Sequence, residues 1–559
     1  MKPLLGIVIT ILLSLWIILP LSGKGYFPMH DDTQVARVIV MGKALRQGQF
    51  PVRWVSDLGY GYGYPIFNFY GPLPYYVGGG LYALGVDSVI ATKVMFGFGA
   101  MLAAIFSFLL FESAYGFLGG LVGSVVFAYA PYHAVEIYVR GAVGEYWAIA
   151  FVPLILWGML LICQKKKHIP GIVIGSLGLA GVIVSHTILG FLTVVFVCAG
   201  VALYIAVHVS RKTPRVQLMR SLLAVLIVGL GLSAFFWLPA LLEMKATGVT
   251  AMIQDAPTGF FDHFVCIGQL WDSPWGYGGS APGCAADGMS FKLGKFHIIM
   301  AIMGIVVWII LLRKRKKNQI IPIMIIGILL LCISILGTIG ISKSLWSVIP
   351  FISFIQYPWR LLSFTMLAVG ICSGYVVAIF RKRSRRIALT IGVIIVCIFV
   401  NAKLFRPQYV YMRDSKAFED SSELRFRISK ISDEYLPPDI VKPKIQNDIV
   451  KTPVQVNGAL QARTLEETDT YLRVALDSAG SQRIVINKAF FPGWIYKVDG
   501  HEVVPSIALG LPSVIVSEGK SILELRFTDT GVRQLANIIS LLSIVTLGGV
   551  VLYGKKTNA

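Results

Sequence analysis

Four places in the chain combine residue types and spacing that can do chemistry. The first is Tyr26-Phe-Pro-Met-His30-Asp31-Asp32-Thr-Gln34, shortly after the first apolar run. Adjacent carboxylates at the edge of a hydrocarbon layer are costly unless solvated, paired or used. Asp31 or Asp32 can accept a proton from an incoming hydroxyl or hold a divalent cation. Either can instead cap a helix over Thr33–Leu45, and the two uses can coexist on different residues. The second place is Tyr138-Val-Arg140-Gly-Ala-Val-Gly-Glu145. Glu145 can be a second acidic site for a metal or an acceptor hydroxyl. It can equally pair with Arg140 or favour the dipole of the helix it begins. The third is His186, between Ser185 and Thr187 at the end of an apolar run, open to the site or to a neighbouring helix. The fourth is Gln356-Tyr-Pro-Trp-Arg360. There a proline interrupts the helix just before an arginine whose parallel donors suit a lipid phosphate, and whose length suits snorkelling to headgroups. Arg37, Arg53 and Arg140 are the other phosphate candidates.

Two further stretches bear on a site. In Gly59-Tyr60-Gly-Tyr-Gly-Tyr64-Pro-Ile-Phe-Asn68-Phe-Tyr70, the rings of Tyr60, Tyr64 and Tyr70 can stack on sugars or form an interfacial aromatic belt. The segment Glu243–Lys295 carries Cys266 and Cys284, a plausible disulfide in an oxidising compartment. It also holds Asp255, Asp262, His263, Trp271, Asp272 and Trp275 around a glycine-rich centre, as a lid would. It contains no metal-ligand spacing. The one cofactor left open is a divalent metal ion at Asp31, Asp32 and Glu145. No phosphate loop, dinucleotide fingerprint or nucleophile elbow is present, so nothing points to ATP.

The elements that must position these residues are membrane spans. Of 559 residues 56% are hydrophobic and only 14% charged, with mean hydropathy +0.72. That excludes a soluble enzyme, a disordered chain and a collagen-like fibre. Apolar runs of about 20 residues lie near 3–22, 88–111, 116–133, 146–163, 169–186, 188–208, 221–242, 296–312, 320–339, 360–380, 387–403 and 535–553. The net charge of +21 sits largely beside these runs, at Lys165–Lys167, Arg211/Lys212/Arg215/Arg220, Arg313–Lys317, Arg381–Arg386 and Lys555/Lys556. About twelve spans put every cluster on one side, the positive-inside pattern, and make nucleic acid an unsuitable partner. Pro72–Gly85 is apolar but short, and is expected to be an outer-surface or re-entrant helix. The first run is not expected to be a cleaved signal peptide. Of the remaining cysteines, Cys163, Cys198, Cys332, Cys372 and Cys397 sit in or beside spans, where packing is their ordinary use.

The expected organisation is a transmembrane domain over 1–403 with outer loops 23–87 and 243–295. A β-rich extracytoplasmic domain follows over 404–533, then a last span and cytoplasmic tail over 534–559. The β expectation rests on period-two runs such as Tyr471-Leu-Arg-Val-Ala-Leu and Ser521-Ile-Leu-Glu-Leu-Arg-Phe, and on the tight turn at Asp499-Gly500. It fits a β-sandwich of ~130 residues.

The order of these motifs resembles a known group. The acidic pair after the first span, Gly48-Gln-Phe-Pro51-Val-Arg53-Trp54, the aromatic stretch ending Pro72-Leu-Pro-Tyr-Tyr76, Arg140 to Glu145 with Pro153-Leu-Ile-Leu-Trp157, Ser185-His186-Thr187, Gln356 to Arg360 and Phe490-Phe-Pro-Gly-Trp494 resemble polytopic C-type (GT-C) glycosyltransferases. They are similar in particular to bacterial "6-pyruvoyl-tetrahydropterin synthase-related" membrane proteins and to YfhO-type membrane proteins. The resemblance implies a GT-C-like fold of about twelve helices, a polyprenyl-phosphate sugar donor, and an aspartate base in the first outer loop, where Asp31 and Asp32 stand. The acid there is often Asp-Glu or a lone Asp; here it is His-Asp-Asp. The pterin label implies no zinc site, since the eight histidines form no His-x-His pair.

The function expected is transfer of a sugar from a polyprenyl-phosphate donor to a cell-envelope glycan or glycolipid, in a multi-pass plasma-membrane protein with its β domain outside and membrane lipid around it. Two other classes fit less: a transporter or flippase of lipid-linked sugars, and a non-catalytic glycan-binding scaffold. The first of these lacks an inverted repeat and matched broken spans.

Overall fold

A long apolar segment in hydrocarbon must satisfy its own backbone hydrogen bonds, and a helix does so. The computed structural model describes residues 2–164, 166–210, 216–249, 259–314, 321–349, 352–380, 382–456 and 460–557. Lys165, Arg211, Lys212, Arg215, Asp255, Arg315, Lys316, Lys317 and Arg381 lie outside the described residues. Each of the twelve apolar runs contains a helix. Eight helices among the described residues are long and apolar enough to cross a membrane, nine if one bent pair counts as a span. Thr187–Leu203 and Ile323–Thr338 are shorter apolar helices.

The N-terminal helix α1 (Lys2–Ile18) leads into the first loop, which contains α2 (Gln34–Arg46) and α3 (Leu73–Ala83). These two cross closely because a Cβ on Gly42 would come within 2.7 Å of the Gly79 carbonyl. The apolar Pro72–Gly85 stretch is thus a short helix laid on α2. Next comes α4 (Ser88–Ala128), capped by Asp87, whose carboxylate accepts from Val89 N at 3.0 Å and Ile90 N at 3.1 Å. Its 41 residues would be ~62 Å of straight helix, twice a hydrocarbon core. Instead it turns at Gly116, at φ 77° and ψ 176°. The second leg returns along the first: a Cβ on Gly120 would stand 3.0 Å from Glu112 Cα, and one on Gly123 2.6 Å from the Phe111 ring.

Beyond it, α5 (Val143–Cys163) and α6 (His168–Ser185) pack antiparallel across Gly158, Gly171 and Gly178. Then follow α7 (Thr187–Ser210) and the pair α8 (Val216–Leu232) and α9 (Ala234–Glu243), bent by 68°. The remaining bundle helices are α10 (Lys295–Arg313), α11 (Ile321–Thr338), α12 (Leu362–Ala378) and α13 (Arg383–Asn401). Their directions sort the charges. Helix α5 carries Glu145 in its first turn and ends before Lys166 and Lys167, α10 ends at Arg313 just before Lys314, and α12 starts beyond Arg360 and ends before Lys382. One end of the bundle therefore carries Lys166, Lys167, Arg313, Lys314 and Lys382. The other carries Glu145, His186, Arg360 and the start of the tail.

The tail opens with irregular chain and short helical turns that cover the first loop; Tyr26 and Tyr411 pair there, backbone to backbone. Eight strands follow, β1 (Leu460–Glu467), β2 (Tyr471–Ser478), β3 (Gln482–Val485), β4 (Trp494–Val498), β5 (His501–Val503), β6 (Ser506–Ala508), β7 (Leu511–Val516) and β8 (Gly519–Phe527), in two antiparallel sheets ordered β1-β2-β8-β4-β5 and β3-β7-β6. Strand β2 (Tyr471–Ser478) buries Leu472, Val474 and Leu476, and β8 (Gly519–Phe527) buries Leu523 and Leu525. Asp499 at φ 51° and Gly500 at φ 81° make the expected tight turn between β4 (Trp494–Val498) and β5 (His501–Val503). The last helix, α14 (Gly531–Thr557), re-enters the bundle beside α9.

Candidate active site

The site is built by a backbone crossing. His30 N donates to Val139 O at 2.9 Å and Asp31 N to Arg140 O at 2.8 Å. The crossing needs Gly141, which sits at φ 68° and whose added Cβ would collide with Met29. Gln34 staples it by donating to Gly141 O at 2.8 Å and Asp31 O at 3.2 Å. Because this crossing fixes the strand before α2, neither Asp31 nor Asp32 caps that helix. Thr33 is its N-cap residue, without a side-chain cap bond.

The crossing turns the two carboxylates apart. Asp31 pairs with His30 Nδ1 at 2.9 Å, and its side chain remains 39% exposed. Burial alone would push its carboxyl up. The hydrogen bond to His30 and the charge of Arg140 outweigh burial and hold it below the usual carboxylate range. The bond to Asp31 raises His30 correspondingly. Asp32 instead pairs with Arg427 of the tail at 3.1 Å, and burial pushes its carboxyl up despite that arginine.

Beside Asp31 lies a buried charge cluster centred on Glu145. Arg140 grips it with two donors, at 2.7 and 2.8 Å, and Arg360 Nε donates to Oε1 at 2.9 Å. His186 Nδ1 accepts from Leu189 N at 3.2 Å. A neutral ring therefore carries its proton on Nε2, which faces Glu145 Oε1 at 3.9 Å. Small residues bring these segments together: a Cβ on Gly144 would press on the Ser185 carbonyl at 2.9 Å and on the His186 ring at 3.2 Å. Arg360 is oriented from behind by Ile355 O at 2.7 Å and Gln356 Oε1 at 2.8 Å, both accepting from Nη1. Its Nη2 has no hydrogen-bond partner among the described residues. The stack of Tyr357 on Trp359, at 4.2 Å, is closed by His263 from the second loop.

That second loop reaches the first: Gly279 lies against His30, where its Cβ would be 3.1 Å from Nε2. Cys266 and Cys284 are joined in a disulfide with Cα atoms 5.9 Å apart. Asp272 pairs with Lys295 on the surface and His263 with Ser280.

Several expected site residues lie elsewhere. Arg53 donates to Asn68 and Asn537, in a junction where Arg533 and Asn68 both bond Glu243. It ties the first loop to α9 and α14 and does not face Asp31. Arg37 stacks over Tyr70 at 4.0 Å and bonds Tyr75 and Ser432, so its guanidinium is already enclosed by the protein. Tyr60 and Tyr64 are 3% and 0% exposed, covered by the tail, with hydroxyls on Asp433 and Glu434. They offer no face to a sugar or to lipid, and Tyr70 has one face filled by Arg37. The metal set also fails to assemble: Asp32 is held by Arg427 and Glu145 by two arginines. Among the described residues no three His, Cys, Asp or Glu side chains converge on a metal-sized point.

Glu136 was not singled out by its sequence. It lies in the wide helical turn Val135–Arg140, is 0% exposed, and accepts from Ser363 Oγ at 3.1 Å. Burial, reinforced by Glu145, pushes its carboxyl well up. The only signal was a lone acid in an apolar run. Arg427 and Tyr132, which meets Arg140 at 3.3 Å, gave no signal at all.

Comparison with known proteins places the sequence. The family described as "6-pyruvoyl-tetrahydropterin synthase related domain; membrane protein" matches residues 67–406, more than half of the chain. An uncharacterized protein of Lactococcus lactis subsp. cremoris (strain MG1363) is 26% identical over 230 residues, which are 40% of this chain and 37% of that one. Among solved structures, the apo oligosaccharyltransferase of Archaeoglobus fulgidus aligns at TM-score 0.48 and 12% identity, over 81% of this chain and 61% of its own. The mycobacterial arabinofuranosyltransferase AftD aligns at 0.44 and 13%, over 75% and 28%. ArnT from Cupriavidus metallidurans bound to undecaprenyl phosphate aligns at 0.35 and 13%, over 70% and 63%. The chain thus covers less than two thirds of each of these proteins.

Proposed function

The chain belongs to the membrane-protein family of the 6-pyruvoyl-tetrahydropterin synthase related domain, and from that setting we propose that it is an integral-membrane glycosyltransferase using a polyprenyl-phosphate sugar donor. The observation that carries this reading is convergence. Asp31, the Arg140–Glu145 pair, His186 and Arg360 come from four separate segments and meet at one end of the bundle. A lipid-borne donor also suits a chain without a nucleotide motif. Asp31, ionised and part-exposed, accepts the proton of the acceptor hydroxyl. The acceptor oxygen bonds to the anomeric carbon, the bond from that carbon to the phosphate oxygen breaks, and polyprenyl phosphate leaves toward Arg360. Glu145 is a positioning residue that sets the two guanidiniums in place. Among the described residues Asp31, Asp32 and Glu145 do not converge as a metal-ligand set. The acceptor is a glycan or glycolipid of the cell envelope. The site end and the tail face outward from the plasma membrane, opposite the basic end.

Titration with donor lipid tests the phosphate assignment. In nanodiscs of neutral lipid, Arg360→Ala is expected to raise the half-saturating donor concentration about 10- to 150-fold, the cost of one charge-assisted contact. Arg360→Lys should lie between, since an ammonium lacks the parallel donors. An unchanged value in Arg360→Ala would remove Arg360 from the donor site.

The pH profile tests the base. The Asp31 carboxyl is depressed in the fold, so its proton-accepting form persists at neutral pH and is lost only as pH falls through that depressed value. His30→Ala removes the hydrogen bond that depresses it, so the acid limb of turnover should move to higher pH. An acid limb identical in wild type and His30→Ala would separate the limb from Asp31.

A further inference from the structure

A second site lies away from the Glu145 cluster, where the end of α1 meets the first turns of α4. A groove of about 780 Å³ opens there. Its long wall is apolar: Ile18, Leu21, Val94, Phe98 and Met101. Its polar end carries Lys24, Lys93 and Arg413, with Asp87 the single opposing carboxylate. Asp87 is spent on capping α4, and Arg413 is paired with Glu423 at 2.9 Å. Lys93 differs from both. It is only 9% exposed and has no carboxylate within salt-bridge distance among the described residues. Its ammonium donates to the Gly23 carbonyl at 2.7 Å, which leaves two of its three donors for something else.

The dimensions point to a lipid. Lys93 and Met101 are eight residues apart on α4, about 12 Å along the helix. That is close to the ~15 Å depth of one leaflet's hydrocarbon. A cation at the loop end and an apolar wall running inward for one leaflet match a phosphate headgroup with its acyl chain below. We propose that this groove binds an anionic phospholipid of the surrounding membrane, its phosphate on Lys93 and Lys24 and one chain along Val94, Phe98 and Met101. Gly97 keeps the wall open: a Cβ there meets nothing closer than Ile18 and Leu21 at 3.8 Å, so a larger side chain would project into the groove. None of the residues around Glu145 lines it, so this proposal stands whatever the reaction at that cluster.

The test is native mass spectrometry of the full chain in nonionic detergent, titrated with phosphatidylglycerol or phosphatidylcholine of identical chains. One phosphatidylglycerol should be retained at a concentration at least about tenfold below that for phosphatidylcholine. Lys93→Met should weaken retention about tenfold or more, and Gly97→Leu should abolish it with the same melting temperature as wild type. Equal retention of both lipids would overturn the proposal. So would undiminished retention in Gly97→Leu, which decides the matter even if Lys93→Met does not fold. Preferential capture of undecaprenyl phosphate over phosphatidylglycerol would also overturn it, in favour of a donor-lipid groove.

Discussion

Asp31→Asn is expected to lower donor turnover by ~10²-fold or more, the ordinary contribution of a positioned base, while Asp32→Asn stays within a fewfold of wild type. The two substitutions are chemically identical and adjacent, so the contrast isolates geometry. Asparagine keeps the size of Asp31 and its main-chain bond to Arg140, but it cannot take a proton. At Asp32 the same change weakens one half-exposed pair with Arg427, whose side chain is 38% exposed; such pairs contribute ~0–1 kcal/mol. The measurement is release of polyprenyl phosphate from polyprenyl-phosphate-linked sugars, with melting temperature as a control for folding. Near-normal turnover in a folded Asp31→Asn would remove the base, and equal losses in both variants would deny that the crossing separates their roles.

Glu145→Ala is expected to lower stability by about 3–5 kcal/mol, as for other broken buried ion pairs. Arg140 and Arg360 have side chains only 9% and 8% exposed, and both point at this one carboxylate. Without it two like charges face each other away from water. The loss should be partly reversed by Arg140→Met in the same chain, because that removes one of the stranded charges. This non-additivity is the signature of a shared network and would be absent for independent surface contacts. Thermal unfolding of the four proteins in one detergent measures it. An unchanged melting temperature in Glu145→Ala would mean that water reaches the cluster and that the arginines are not held by it.

Much of the helical frame was legible because hydrocarbon permits few alternatives. Apolar runs of the right length had to be helices, and even the break inside α4 showed as a pause between 111 and 116, where Gly116 turns the chain. The Arg140–Glu145 pair was legible because its members are five residues apart on one loop. What was not legible depends on contacts far apart in sequence. Asp32 meets Arg427 across 395 residues, and Tyr60 meets Asp433 across 373. No local pattern announces such partners, so Tyr60 and Tyr64 read as open rings when they are covered ones. The helix-capping expectation failed for a related reason. Propensity favours aspartate at a helix start, but the backbone of Asp31 is committed to Arg140, and tertiary contact decides between them.

The cover that the tail places over the first loop bears on how the protein is made. The loop with His30, Asp31 and Asp32 is synthesised early, while Arg427, Ser432, Asp433 and Glu434 follow only after some ten apolar segments have been inserted. Until then Arg37 lacks Ser432, Asp32 lacks Arg427, and the hydroxyls of Tyr60 and Tyr64 lack their carboxylates. A chain stopped anywhere before about residue 435 therefore carries the candidate base but not the surface that seats its loop. On the proposed transferase reading, an interrupted or clipped chain left in the bilayer is therefore expected to be inert rather than a free-running enzyme with relaxed choice of acceptor.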